Sequence, residues 1–72
     1  MTRDDIKKII EDTIEEDLIN ESQPLNDDQW DSLAIMFFIG AINNKYKIIL
    51  DPTRLHNIKN ASDLIDIVIN SD

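Results

Sequence analysis

Ser32 is the residue of this chain best placed to take part in chemistry. It follows Asp31, precedes Leu33, and stands where a polar loop gives way to an apolar run with helical spacing. A hydroxyl at such a junction is exposed, starts a helix and has carboxylates close by in sequence. Those conditions suit a serine that receives a covalent group from another protein. They do not suit a nucleophile, because no base is paired with it in sequence. From the local pattern alone, the same serine reads as the N-cap of the helix that follows, its hydroxyl accepting a backbone N–H one turn in.

The other reactive side chains offer less. His56 is the one histidine and has no serine or cysteine partner visible in sequence, so it reads as a surface or packing residue. Glu15, Glu16 and Asp17 are adjacent at the end of a helical stretch and point different ways, which makes them a solvated face and not an acid–base pair. There is no metal-ligand cluster and no glycine-rich phosphate loop. A chain this short also leaves little room for a cleft, so it does not read as an enzyme.

The 72 residues are expected to form one domain, spanning 1–72. At this size folding buries only about 60% of the unfolded surface, so the core is thin. Cysteine is absent, which excludes disulfides and cysteine-held metals. No apolar run reaches the roughly 18 residues of a membrane span. Met1 to Asp5 has one base and no apolar stretch, unlike a secretory signal. A cytoplasmic protein without membrane insertion is the expectation. Fifteen acidic residues against seven basic ones give a formal charge of −8. Nucleic acid and anionic membranes require a basic footprint, so neither is an expected partner. The charge favours partners with basic patches, or serves solubility alone.

The periodicity is helical. Ile6, Ile9, Ile10, Ile14 and Leu18 fall on one stripe, which predicts a first helix from Thr2 to Leu18, with Asp4 and Asp5 at its positive end. Residues 19–31 lose that period and are rich in loop formers, with Leu25 and Trp30 as expected anchors on the core. A second helix is expected from Ser32 or Leu33 to about Lys47. Its run from Leu33 to Ile42 is apolar nearly all round, which means either burial on several sides or an exposed face kept for a partner. Ile48-Ile49-Leu50 reads as an extended connector pinned into the core. Asp51-Pro52 is a helix start, with one or two turns to Ile58. Asn60 reads as the cap of a last helix whose inward stripe is Leu64, Ile65, Val68 and Ile69. The expected fold is therefore all-α, a four-helix bundle of three longer helices and one short one with a long first loop.

Trp30-Asp31-Ser32-Leu33, followed without a gap by Ala34 to Leu50, resembles the acyl carrier protein family. Tyr46 stands where that family has an aromatic residue closing the second helix. Ile48 to Asp51 is similar to the apolar stretch that follows it, and Ala61-Ser62-Asp63-Leu64 to the start of the fourth helix. The resemblance covers nearly the whole chain. It implies a 4′-phosphopantetheine arm on Ser32, added from coenzyme A by a Mg²⁺-dependent phosphopantetheinyl transferase. It also implies acyl-activating and acyl-transferring enzymes as further partners, and a monomer. Asp31 would orient the helix start and offer a carboxylate to the transferase. Leu33 would dock partners beside the arm, with core packing as the other reading. Trp30, Met36 and Phe37 are the further docking candidates. Trp30 also reads as a plain loop anchor or a shield for the base of the arm, and Met36, Phe37 and Phe38 as core or as the lining of an acyl cavity.

The sequence departs from the family in its second helix. Ala34 and Phe37 replace common acidic positions, and Asn43, Asn44 and Lys45 stand in a stretch usually rich in glutamate. The departure implies a specialised carrier whose docking relies on apolar contact and less on salt. A peptidyl or aminoacyl carrier with the same serine chemistry is one alternative. A small acidic helical adaptor that is never modified is the other.

Overall fold

The computed structural model describes residues 1–71. Among them are four α-helices: α1 (Arg3–Ile14), α2 (Ser32–Tyr46), α3 (Pro52–Leu55) and α4 (Ala61–Asn70). The fold is the expected all-α bundle of three longer helices and one short one.

Local chemistry starts each helix. Thr2 and Asp5 cap α1 reciprocally: the Asp5 N–H donates to Thr2 Oγ1 at 3.2 Å, and the Thr2 N–H to Asp5 Oδ2 at 3.0 Å. The Asp51 carboxylate caps α3, with Pro52 at its first position. Asn60 caps α4 by accepting the Asp63 N–H at 2.9 Å. One face of each longer helix then turns inward. Ile6 and Ile10 of α1, Ile35, Phe38 and Ile42 of α2, and Leu64, Ile65 and Val68 of α4 are buried in one core. Each such side chain contributes ~1.5–3 kcal/mol by leaving water. Ile69, expected on the same stripe, is only partly buried.

The first helix ends earlier than its periodicity predicts, at Ile14 and not Leu18. Glu15 takes the left-handed conformation at φ 59° and sends its N–H back to the Glu11 carbonyl. The reason is electrostatic. Glu15, Glu16 and Asp17 would add three anions to the negative end of the helix, where the last turn has no base. Leu18 still reaches the core, but as a loop residue whose N–H is taken by Glu11 Oε2 at 2.8 Å.

The long loop is tied to the far side of the molecule. The Leu25 N–H donates to the Lys59 carbonyl at 3.1 Å, and the Ser62 N–H to the Glu21 carbonyl at 2.7 Å. Arg3 fastens the same seam from α1: its Nε donates to Glu21 Oε1 at 2.9 Å and another guanidinium N–H to Asp66 Oδ1 at 2.7 Å. After α2, Lys47 turns the chain in the left-handed conformation, and Ile48 and Leu50 enter the core while Ile49 faces water. That is the expected extended connector. The short α3 is a single turn that buries Leu55.

Candidate functional site

The site is built on Trp30. The turn before it is closed by a reciprocal pair, with the Gln29 N–H donating to Asn26 Oδ1 at 2.8 Å and the Asn26 N–H to Gln29 Oε1 at 3.2 Å. Trp30 then drops into the core with 9% of its surface exposed. Its Nε1–H donates to the Leu55 carbonyl at 2.8 Å, and its ring meets Phe38 edge to face at 5.5 Å between centroids. The docking role expected of Trp30 is therefore corrected: its surface is spent on the core, and it is a loop anchor. Held this way, it fixes where α2 begins.

Asp31, next along the chain, is extended at φ −96° and is the N-cap of α2, its carboxylate accepting the Ala34 N–H at 2.8 Å. This corrects the expectation that Ser32 caps the helix. Asp and Ser cap about equally well, and the Trp30 anchor puts the aspartate in the capping place. Ser32 becomes the first helical residue, exposed to solvent.

Past Ser32 the outer face of α2 is apolar. Leu33 is 78% exposed, Met36 70% and Phe37 64%. The core-packing reading of these three is thereby excluded. Phe38 is fully buried against Trp30, so the trio of Met36, Phe37 and Phe38 does not line a common internal cavity. Beside this face, Asp12, Glu15 and Glu16 at the end of α1, with Asp28 of the loop and Asp31, share a cleft with Leu33 and Phe37. Gln29 Nε2 donates to Glu16 Oε2 at 2.7 Å, joining two residues of the cleft wall. His56 lies exposed at the end of α3 and belongs to none of this.

The start of α2 suits a phosphodiester. The first N–H groups of a helix lack internal acceptors. Asp31 takes the Ala34 N–H with its side chain and the Ile35 N–H with its carbonyl. The N–H groups of Ser32 and Leu33 remain, at the positive end of a helix of 15 residues. An anion joined to the Ser32 hydroxyl would lie at that positive end.

A family model described as a phosphopantetheine attachment site matches residues 4–68. The chain belongs to that family. Its domain carries 4′-phosphopantetheine on a serine, and it is a carrier and not an enzyme. Its fold and sequence are similar to the holo acyl carrier protein from Geobacter metallireducens, solved in solution by NMR. The two are 33% identical with a TM-score of 0.71, over 97% of this chain and 84% of that one. None of the curated proteins compared with the chain matches it. As a phosphopantetheine carrier it meets a phosphopantetheinyl transferase and acyl-handling enzymes. Among the described residues, no helix is long and apolar enough to cross a membrane.

The sequence reading missed three contributors. The Asn26–Gln29 turn and the Gln29–Glu16 bond leave no periodic signal, since they pair polar loop residues. Asp12, Glu15 and Glu16, the α1 side of the cleft, are distant from Ser32 in sequence and come near it only when α1 packs on α2.

Proposed function

We propose that Ser32 bears the phosphopantetheine arm and that the chain holds an acyl-type cargo there as a thioester for a dedicated pathway. The observation that carries the assignment is the state of the hydroxyls. The chain has serines at 22, 32, 62 and 71. Ser22 Oγ donates to Asn20 Oδ1 at 2.6 Å, Ser71 Oγ to the Ile67 carbonyl at 2.6 Å, and Ser62 Oγ accepts from Arg3 at 3.3 Å. Among the described residues, the Ser32 hydroxyl has no hydrogen-bond partner, because Asp31 has taken the cap. It is exposed and available to a second enzyme.

Attachment joins the Ser32 oxygen to the phosphorus of the arm of coenzyme A, with loss of the hydroxyl proton and departure of adenosine bisphosphate. The cargo then rides on the distal thiol. A tethered thioester presents itself to a partner at high effective concentration, which is the physical gain of a carrier. Leu33, Met36 and Phe37 are the docking residues in this reading, and Asp31 sets the geometry of the serine.

The specialised pathway is supported by α2 itself, which has no acidic side chain from Ser32 to Tyr46. An aminoacyl or peptidyl carrier, with the same serine chemistry, is the second reading. Parallel loading by a fatty-acyl ligase and an amino-acid-activating ligase separates the two cargos.

The test of attachment is intact mass after incubation with coenzyme A, Mg²⁺ and a broad-specificity phosphopantetheinyl transferase, beside Ser32→Ala. A gain of one phosphopantetheine in the wild type alone is expected. The same gain in Ser32→Ala would move the site to another serine. No gain in folded wild-type protein would favour the unmodified adaptor.

A further inference from the structure

The acidic side chains that α2 lacks are supplied from outside it. Asp12, Glu15 and Glu16 stand at the end of α1 and open onto the cleft that also exposes Phe37 and Leu33. The cleft runs on between α1 and α2 as a more apolar groove, with Ile9, Phe37 and Ala41 on its walls and Lys45 at its end. Phe37 belongs to both parts. The groove therefore has an acidic end near Ser32, an apolar middle and a basic far end.

Gly40 lies one turn beyond Met36 and Phe37 on the exposed face of α2. A Cβ built there meets nothing within 4 Å, so packing does not require a glycine. A glycine inside a helix weakens it, and at Gly40 it leaves the helix backbone open to solvent.

We infer that the partner enzyme of Ser32 docks along this α1–α2 groove, presenting an apolar side chain to Phe37 and Lys or Arg residues to Asp12, Glu15 and Glu16. The reading rests on the carrier role of Ser32. It replaces the expectation that docking depends little on salt, because the carboxylates are present and only their helix has changed. Charge also sets the direction of approach, with the partner's bases at the Ser32 end and a neutral or acidic stretch toward Lys45. A second copy of this chain does not fit. Each copy carries a formal −8, and in a pair a single Lys45 would have to answer the five carboxylates that line the other copy's cleft.

The test uses a phosphopantetheinyl transferase as the partner and reads kcat/KM for attachment across a salt series. Glu15→Lys and Asp4→Lys make the same change in net charge at opposite ends of α1; a base at position 15 suits the helix C-terminus while one at position 4 opposes its N-terminus, so each variant is compared as folded protein, checked by circular dichroism. Glu15→Lys is expected to lower kcat/KM about fivefold at low salt, through KM, and to flatten the salt dependence. Asp4→Lys should lose less than about half as much on a logarithmic scale. Phe37→Ala should raise KM about tenfold at every salt concentration, as loss of a central apolar contact does. Equal losses in Glu15→Lys and Asp4→Lys, with the wild type modified normally, would overturn the inference alone. A wild type that gains no mass would overturn the carrier reading and this inference with it. A doubled mass in sedimentation that Phe37→Ala abolishes would also overturn it, by making a second copy the occupant.

Discussion

The Asp31 carboxylate accepts the Ala34 N–H at 2.8 Å, and by doing so it leaves the neighbouring Ser32 hydroxyl without a structural task. Two residues that cap helices equally well stand side by side, and the structure divides their work: one starts the helix, the other is exposed to solvent.

That division predicts opposite effects of two neighbouring substitutions. Asp31→Ala should cost ~1 kcal/mol through loss of the cap, which lowers Tm by about 4–8 °C in a domain of this size. Asp31→Asn should restore most of it, since Asn caps as well. Ser32→Ala should change stability by less than about 0.5 kcal/mol while abolishing attachment. Thermal unfolding followed by circular dichroism checks all three. A loss in Ser32→Ala as large as in Asp31→Ala would return the cap to the serine.

Trp30 is expected to act through the fold. Trp30→Ala should cost ~3–5 kcal/mol, a large part of the stability of so small a domain. Trp30→Phe keeps a ring near Phe38 but leaves the Leu55 carbonyl without its donor, at ~1–3 kcal/mol. Urea titration should show lower midpoints with unchanged slopes, and the folded fraction should still accept the arm. An unchanged midpoint combined with slower attachment would return Trp30 to the docking surface.

Acid should act on the caps. The Thr53 hydroxyl and N–H hold the Asp51 carboxyl below its ordinary value of 3.8, and the Thr2 N–H and hydroxyl do the same for Asp5. A carboxyl depressed in the folded state contributes stability above its unfolded value, and that contribution is lost as pH falls through the folded one. Relief of the net negative charge works in the other direction, so the comparison must be internal. Asp51→Asn retains a cap and removes the titration. The stability difference between wild type and Asp51→Asn should be constant above about pH 5 and turn against the wild type below about pH 4. A difference that stays flat through the acid range would mean that these bonds do not depend on the charge.

Gly40→Ala should stabilise the chain by ~0.5–1 kcal/mol, because the helix gains and the new methyl group meets nothing. Chemical denaturation measures it directly. A loss of stability would show that the helix surface at Gly40 is less open than its surroundings indicate.

Much of this molecule was legible from short-range pattern. The stripes of α1 and α4, the Asp51-Pro52 start, the Asn60 cap and the extended connector Ile48-Ile49-Leu50 each depend on residues within a turn or two of one another. Local propensity is enough to place them. The stretch Trp30-Asp31-Ser32-Leu33 likewise carries the proposed attachment site.

The end of α1 was misread because Leu18 continues the stripe while the three anions before it oppose the helix, and spacing carries no sign of charge. The exposed side of α2 was undecided for a related reason. A run that is apolar nearly all round does not state which side faces neighbours, and only packing turned Ile35, Phe38 and Ile42 inward and left Leu33, Met36 and Phe37 outside.

What the sequence alone determined is the helical architecture and membership of a serine-linked carrier family, with Ser32 as its candidate, since both are written in residues close together along the chain. What only the tertiary structure decided is the division between Asp31 and Ser32, the burial of Trp30, the Arg3 fastening of Glu21 and Asp66, and the acidic wall beside Phe37. Asp31 takes the cap because Trp30 is held on the Leu55 carbonyl, a partner 25 residues away. Arg3 and Asp66 meet across 63 residues of chain. Contacts of that range are set by how whole elements pack, and no local spacing encodes them.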